Sequence, residues 1–516
     1  MAAKWLKDTV FYEIYPQSFN DTNGDGIGDI NGITEKLDYI KSLGCNALWI
    51  NPCYDSPFKD AGYDVRDYKK VAPRYGTNED LYRLFDVAHK KGIRVLLDLV
   101  PGHTSEEHPW FTESQKIEKN EFSDRFIWTD YCFKGAAGLP YIGGESERSG
   151  CYILNFFKCQ PALNYGFYSV TEPWQKSMSD PAALATREEL KDIMRFWLDR
   201  GCDGFRVDMA DSLVKNDDEK VATARIWKGI RKMLDEEYPE AALVSEWCNP
   251  VRSLDKGGFH MDFYLDHRGN GYSTMFRYIV DGEDRSFFSK NGKGDITVFT
   301  DEYVPNLRAT KDCGYISMFT SNHDIPRMTN NLDETARKLA FCTIFTMPGV
   351  PFLYYGDEIG MRYQNGLTSK EGGFSRTGSR TPMQWTNGKN LGFSTADEDK
   401  LYLPVDKSED APTVENQQDK KDSIFNTVKD IIKIRRDNNS DLGPDGDFEV
   451  VYAERNKYPF VYKRGNFIIG VNPSSNTETV PLGYAPDDVV YQIGGVSFAD
   501  GMLTLEKQSF VLFRTL

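Results

Sequence analysis

Between residues 9 and 360, short apolar runs alternate with amphipathic helical patterns, and the runs number eight: 9–15 (TVFYEIY), 46–51 (NALWIN), 93–100 (IRVLLDLV), 203–209 (DGFRVDM), 241–247 (AALVSEW), 262–266 (DFYLD), 314–319 (GYISMF) and 351–355 (PFLYY). Helical patterns fall between them at 33–43, 78–91, 187–200, 219–236 and 333–346, and another follows at 422–436. Continuous apolar strands joined by helical crossovers are what a parallel sheet buried on both faces requires. Eight such units predict an α/β fold, a closed (β/α)8 barrel. Residues 104–170, rich in Trp, Tyr, Phe and Gly, interrupt the pattern after the third strand. A βα connection of that length predicts a small inserted domain. A second, polar and acidic insertion spans 361–420 within the second barrel segment, 171–438, the first being 1–103. From 439 to 516 short alternating strands predict a separate C-terminal antiparallel β-sandwich domain.

Three of the runs end in a carboxylate: Asp208 in GFRVDMAD, Glu246 in AALVSEWCNP and Asp324 in YISMFTSNHD. Burying a carboxylate costs several kcal/mol unless it is paired. Strand C-termini of such a barrel are where side chains converge on a substrate. Arg206 and Asp208, two apart on a strand, share a face, so the guanidinium is expected to keep the acid ionised. Glu246, next to Trp247, is expected to sit against apolar surface that favours its protonated form. Taken singly, each acid also fits a structural ion pair, a solvent-facing strand end or a turn. Their occurrence together, in order, at strand ends points to acid/base and nucleophile work on glycosidic bonds.

The chain has 516 residues and a formal net charge of −16. That balance argues against nucleic acid, whose phosphates need a basic face, and fits a neutral substrate. The N-terminus, MAAKWLKDTVFYEIYP, lacks the apolar core of a secretory signal, and no apolar run is long enough to span a bilayer. Nine scattered cysteines without a CxxC read as reduced thiols of a cytoplasmic protein, a monomer or weak homo-oligomer.

At these residues the chain resembles the α-amylase superfamily of retaining glycoside hydrolases, glycoside hydrolase family 13. DLVPGH (98–103), GFRVDMAD, SEWCNP and FTSNHD are similar to the family's four main regions, in order. QPALN (160–164), GVPFLYYGDEIGM (349–361) and SRTPMQW (379–385) resemble the oligo-1,6-glucosidase and α-glucosidase branch, which includes trehalose synthases. The resemblance implies that Asp208 is the nucleophile, Glu246 the acid/base and Asp324 the third acid. It implies that Arg206 positions Asp208 and that Asp98 supports the site. His103 and His323 would hydrogen-bond the sugar, Tyr63 would stack under it, and Asp64 would hold its non-reducing end. Retention implies carboxyl groups roughly 5–5.5 Å apart.

The loop Asp21-Thr22-Asn23-Gly24-Asp25-Gly26-Ile27-Gly28-Asp29 alternates oxygen ligands with glycines, as a hard cation requires. It fails as an EF-hand, because Gly32 stands where the bidentate Glu belongs. The similar loop of the branch implies Ca²⁺ or Mg²⁺ held by Asp21, Asn23, Asp25, Asp29 and the Ile27 carbonyl, in a stabilising role. Three departures bear on specificity. Gly102 replaces the Asn that usually precedes the first-region His, which argues against a second calcium there. Ala162 replaces the Asp of QPDLN. Met209 follows the nucleophile where α-1,6-selective relatives have Val, which favours α-1,4 bonds. The expected activity is an exo-acting retaining α-glucosidase on short oligosaccharides. The alternatives are an oligo-1,6-glucosidase or dextran glucosidase, a trehalose synthase-type isomerase, and a non-catalytic family member.

Overall fold

The computed structural model describes residues 3–515. Eight parallel strands form the centre: β1 (Phe11–Ile14), β2 (Ala47–Ile50), β3 (Arg94–Leu99), β4 (Gly204–Val207), β5 (Ala242–Ser245), β6 (Met261–Phe263), β7 (Tyr315–Ser317) and β8 (Phe352–Tyr354). They follow one another as β7-β6-β5-β4-β3-β2-β1-β8. A parallel bridge from Phe319 to Phe352 brings the two ends together, with Phe352 N donating to Met318 O at 2.8 Å. The barrel expected from the sequence is thus present, and seven of the eight predicted runs contain their strand; β6 starts one residue before the run expected at 262–266 and ends at Phe263. Every residue of β1, β2, β4 and β5 is buried, as continuous apolar runs require.

Local chemistry fixes the ends of the crossover helices. Thr77 and Asp80 form a reciprocal capping box that starts Asn78–Lys90. The helix expected at 187–200 begins earlier, at Pro181, because Asp180 caps it and Pro181 occupies its first turn. The single helix expected at 33–43 is two short ones, Ile30–Glu35 and Leu37–Ser42. Gly204, at φ +138°, opens β4 where a Cβ would lie 1.9 Å from the Ala242 carbonyl oxygen. Only glycine lets β4 approach β5 this closely, and the strands carrying Asp208 and Glu246 are aligned through that contact.

The segment after β3 folds over the barrel mouth. It contains a hairpin, Tyr141–Gly143 with Cys151–Ile153, and a small apolar core including Ile127, Ile153, Phe167 and Trp174. It returns to the barrel by pairing Ala162 antiparallel with His103. The 361–420 segment is mostly irregular and delivers Arg376 and Arg380 to the same mouth. At the C-terminus, a five-stranded and a three-stranded antiparallel sheet share a core of Val461, Ile468, Val480, Leu503, Leu505, Val511 and Phe513. No helix among the described residues is long and apolar enough to cross a membrane.

Candidate active site

A pocket of about 160 Å³ opens at the C-terminal end of the barrel, lined by Asp60, Tyr63, His103, Phe156, Asp208, Met209, Glu246, Asp324 and Arg376. The three strand-end acids therefore converge. Arg206, on β4 and 2% exposed, joins two of them. Its Nη1 donates to Asp208 Oδ1 at 3.0 Å and to Asp98 Oδ1 at 2.9 Å, and its Nη2 lies 2.7 Å from Glu246 Oε2. Parallel register places Arg206 directly across from Asp98 on β3. Glu246 Oε2 also accepts from the backbone N–H of Met209 at 2.9 Å. The two acids are thus held together by one guanidinium and one peptide group. Met209 and Cys248, each soon after an acid, have φ of +40° and +55°. Left-handed backbone at non-glycine residues is strain of the kind that clusters at functional sites.

The surroundings of the acids differ from the sequence-based expectation in two ways. Burial raises the Asp208 carboxyl well above the usual range; Arg206 opposes the rise, and Glu246, Asp98 and Asp60 add to it. Arg206 is shared among several acids and does not by itself keep Asp208 ionised. Glu246 does not rest on an apolar wall, since its carboxylate faces Arg206. Two carboxylates share one guanidinium, so Arg206 is not the private partner of either.

Asp324 stands in a cationic cradle. Arg376 Nη1 and Arg380 Nη2 each donate to Asp324 Oδ1 at 3.0 Å, and His323 Nε2 lies 3.2 Å from Oδ2. Burial works to raise its carboxyl, yet His323, Arg380 and Arg376 hold it well below the usual range. Arg376 reaches on to Asp60 Oδ1 at 3.3 Å, and Gln160 of QPALN donates to Asp60 Oδ2 at 2.7 Å. This chain of charges forms part of the pocket wall.

Asp64 requires a correction. It is fully buried and does not line the pocket. Its Oδ1 accepts from Asp60 N and Ser56 Oγ, both at 3.0 Å, and its Oδ2 accepts from Lys59 N at 2.9 Å. Asp64 ties down the turn that presents Asp60, and of the two it is Asp60 that lines the pocket. Asp60→Asn is therefore expected to lower kcat/KM on maltose by about 100-fold or more, mainly through KM. Asp64→Asn is expected to cost about 1–3 kcal/mol of stability, the price of an unsatisfied buried donor. Steady-state kinetics and thermal denaturation of both variants separate the two roles; equal kinetic losses would contradict the assignment.

Tyr63 stacks on His323 with ring centroids 5.4 Å apart and donates to Asp98 Oδ2 at 3.0 Å. His103 Nε2 donates to the Tyr63 carbonyl at 3.0 Å, and its Nδ1 accepts from Asn155 Nδ2 at 3.2 Å. Burial lowers its pKa to about 4, so the ring is neutral. Both nitrogens are engaged by protein, and a sugar hydroxyl must share the Nε2–H with the Tyr63 carbonyl. A Cβ at Gly102 would lie 2.6 Å from Asn155 Nδ2 and 2.8 Å from Ser212 Oγ, so those side chains would have to shift to admit one.

The glycine-rich loop keeps its acids free of basic partners: among the described residues, no Lys or Arg pairs with Asp21, Asp25 or Asp29. Asp21 accepts from the N–H groups of Asn23, Gly24 and Gly26 and from Ser394 Oγ. Asp29 caps Ile30–Glu35 by accepting from Gly32 N and also takes Thr22 N. No group of three or more His, Cys, Asp or Glu among the described residues could hold a metal ion by itself. An oxygen cage here needs the Asn23 amide and the Ile27 carbonyl as well.

Comparison with known proteins fits this architecture. The model of the α-amylase catalytic domain matches residues 13–442. The chain belongs to the α-amylase family. Among curated members it is 31% identical to glucan 1,6-alpha-glucosidase of Streptococcus pneumoniae, over 93% of this chain and 94% of that one. It is 32% identical to oligo-1,6-glucosidase of Heyndrickxia coagulans, over 94% of each chain. It is 34% identical to the trehalose synthase/amylase TreS of Mycolicibacterium smegmatis, over 84% of this chain and 76% of that one. Among solved structures, an inactive double mutant of MutB in complex with isomaltulose superposes with a TM-score of 0.81 at 25% identity, covering 100% of both chains. This α-amylase-family chain is a glycoside hydrolase, and its relatives span the glucosidase and isomerase activities expected from the sequence.

Proposed function

We propose that this protein is a retaining, exo-acting α-glucosidase that releases glucose from the non-reducing ends of short α-glucans. The observation that carries the reading is the pocket itself. It has room for about one sugar ring, has the Arg376–Asp60–Asp324 charges in its wall, and has Asp208 and Glu246 joined on Arg206. A pocket of that size suits a chain terminus better than the interior of a polymer. Asp208 attacks the anomeric carbon while Glu246 gives its proton to the departing glycosidic oxygen. The covalent glucosyl–Asp208 ester then yields to water deprotonated by Glu246. Asp324 and Arg376 hold ring hydroxyls, Asp60 fixes the non-reducing end, and Tyr63 stacks under the ring. Met209, which lines the pocket beside the attacking acid, favours α-1,4 over α-1,6 bonds. Rates on maltose and isomaltose test this, with the larger kcat/KM expected on maltose; a larger value on isomaltose overturns the linkage preference.

A second reading is isomerisation of the trehalose-synthase type, favoured by the likeness to TreS. It requires the released glucose to stay in the pocket and be attacked by its former partner. Trehalose as the main product from maltose would decide for it, and free glucose against it.

We also propose that the 21–29 loop holds Ca²⁺ or Mg²⁺ through Asp21, Asn23, Asp25, Asp29 and the Ile27 carbonyl. The bound ion supplies charge balance for three carboxylates that have no basic partner. Through Ser394 the loop is tied to the 361–420 segment that carries Arg376 and Arg380. Chelation is expected to lower Tm by about 5 °C, restored by calcium. A Tm indifferent to chelator and to added ion would refute the site. A cytoplasmic location remains part of the proposal and is tested by cell fractionation.

A further inference from the structure

β1 reads TVFYEIY, an apolar run with a single carboxylate, Glu13. Glu13 is fully buried and is not among the residues that line the pocket. Its Oε2 has no hydrogen-bond partner. A buried acid with an orphaned oxygen is expensive, and such groups persist where the charge has a use. Glu13 Oε1 lies 2.9 Å from His323 Nδ1. The opposite ring nitrogen, Nε2, is 3.2 Å from Asp324 Oδ2 and 2.7 Å from the Tyr63 hydroxyl. The imidazole is therefore set between two carboxylates, one on each nitrogen. A neutral ring would turn a lone pair toward one of them.

We propose that Glu13 is a positioning residue for the reaction: by accepting the Nδ1 proton of His323 it locks that histidine as an imidazolium, so that an Nε2 proton always faces Asp324 and the sugar hydroxyl bound there. The proposal rests on the glucosidase reading only for its effect on rate. The charged and titratable groups facing His323 come from several elements. They are Glu13 on β1, Tyr15, Tyr63, Asp98 on β3, and Asp324; Arg380 Nε bonds the His323 carbonyl at 2.8 Å, and Arg206 on β4 acts on Glu13. Burial works against a charged His323, but Asp324 and Glu13 raise it to about 9. Burial raises Glu13, and His323 and Arg206 oppose that rise. Asn51 Nδ2 lies 3.1 Å from Nδ1 and can donate there once Glu13 no longer claims the proton. A neutral His323 is thus accommodated when the carboxylate is removed.

The test is a pH titration of the histidine ring signals of the substrate-free enzyme, wild type and Glu13→Gln. There are six histidines, and His323→Asn assigns the signal. In the wild type His323 is expected to stay protonated up to about pH 9. In Glu13→Gln it is expected to titrate at least about one unit lower, and the alkaline limb of kcat/KM is expected to fall with it. Unshifted titration and an unshifted alkaline limb in the variant would overturn the proposal. So would a wild-type His323 already neutral at pH 7.5, a result that holds even if the variant fails to fold. Because the titration is read without substrate, failure of the glucosidase reading leaves it intact.

Discussion

Asp208→Asn is expected to lower kcat on maltose by on the order of 10⁴-fold or more while leaving the fold intact. The amide preserves the hydrogen bond from Arg206 Nη1 in shape but cannot form the glycosyl ester, so both steps of the displacement are lost. Removing a carboxylate also frees Arg206 for Asp98 and Glu246, so Tm is expected to be unchanged or higher. Azide supplied to Asp208→Gly should enter the space left by the side chain and yield the β-glucosyl azide from an α-glucoside. Activity within tenfold of wild type in Asp208→Asn would remove this residue from the chemistry.

Glu246→Gln is expected to show a loss that depends on the leaving group. On maltose, whose departing oxygen needs a proton, kcat/KM should fall about 10²–10⁴-fold. On an α-glucoside of an acidic phenol, which leaves unaided, the loss of glucosylation should be far smaller. The second step then limits, and azide, which needs no base, should restore turnover and give the α-glucosyl azide. Equal losses on both substrates would show that Glu246 does not transfer the proton. The contrast with Asp208 follows from geometry: one acid acts on carbon and the other on oxygen, although both lie on the same guanidinium.

Much of this was legible in the sequence because the barrel writes its strands as apolar runs. Strand position alone placed Asp208 and Glu246 at one rim, since β4 and β5 are neighbours in register. The site's loops were less readable. Asp60 and Asp64 lie four apart in one turn, and nothing in KDAGYD says which faces the substrate; burial and three accepted hydrogen bonds decide it. Arg376 and Arg380 were missed because the 361–420 segment has no periodicity to align it with the barrel. Their signal was the spacing of two arginines across a turn just before TPMQW. The apolar setting inferred for Glu246 from Trp247 failed because both lie just past the end of β5, where the Trp247 ring packs on Phe259 while the Glu246 carboxylate meets Arg206. Glu13 was visible as the one acid in an apolar strand, but its partner is more than 300 residues away and only the closed barrel joins them.

The most direct test of the account is the first sugar released from maltotriose labelled at its reducing end, followed by NMR before mutarotation. The account predicts unlabelled α-glucose with labelled maltose as its complement. Early β-glucose would contradict retention, and labelled glucose as the first product would contradict a pocket that takes the non-reducing end.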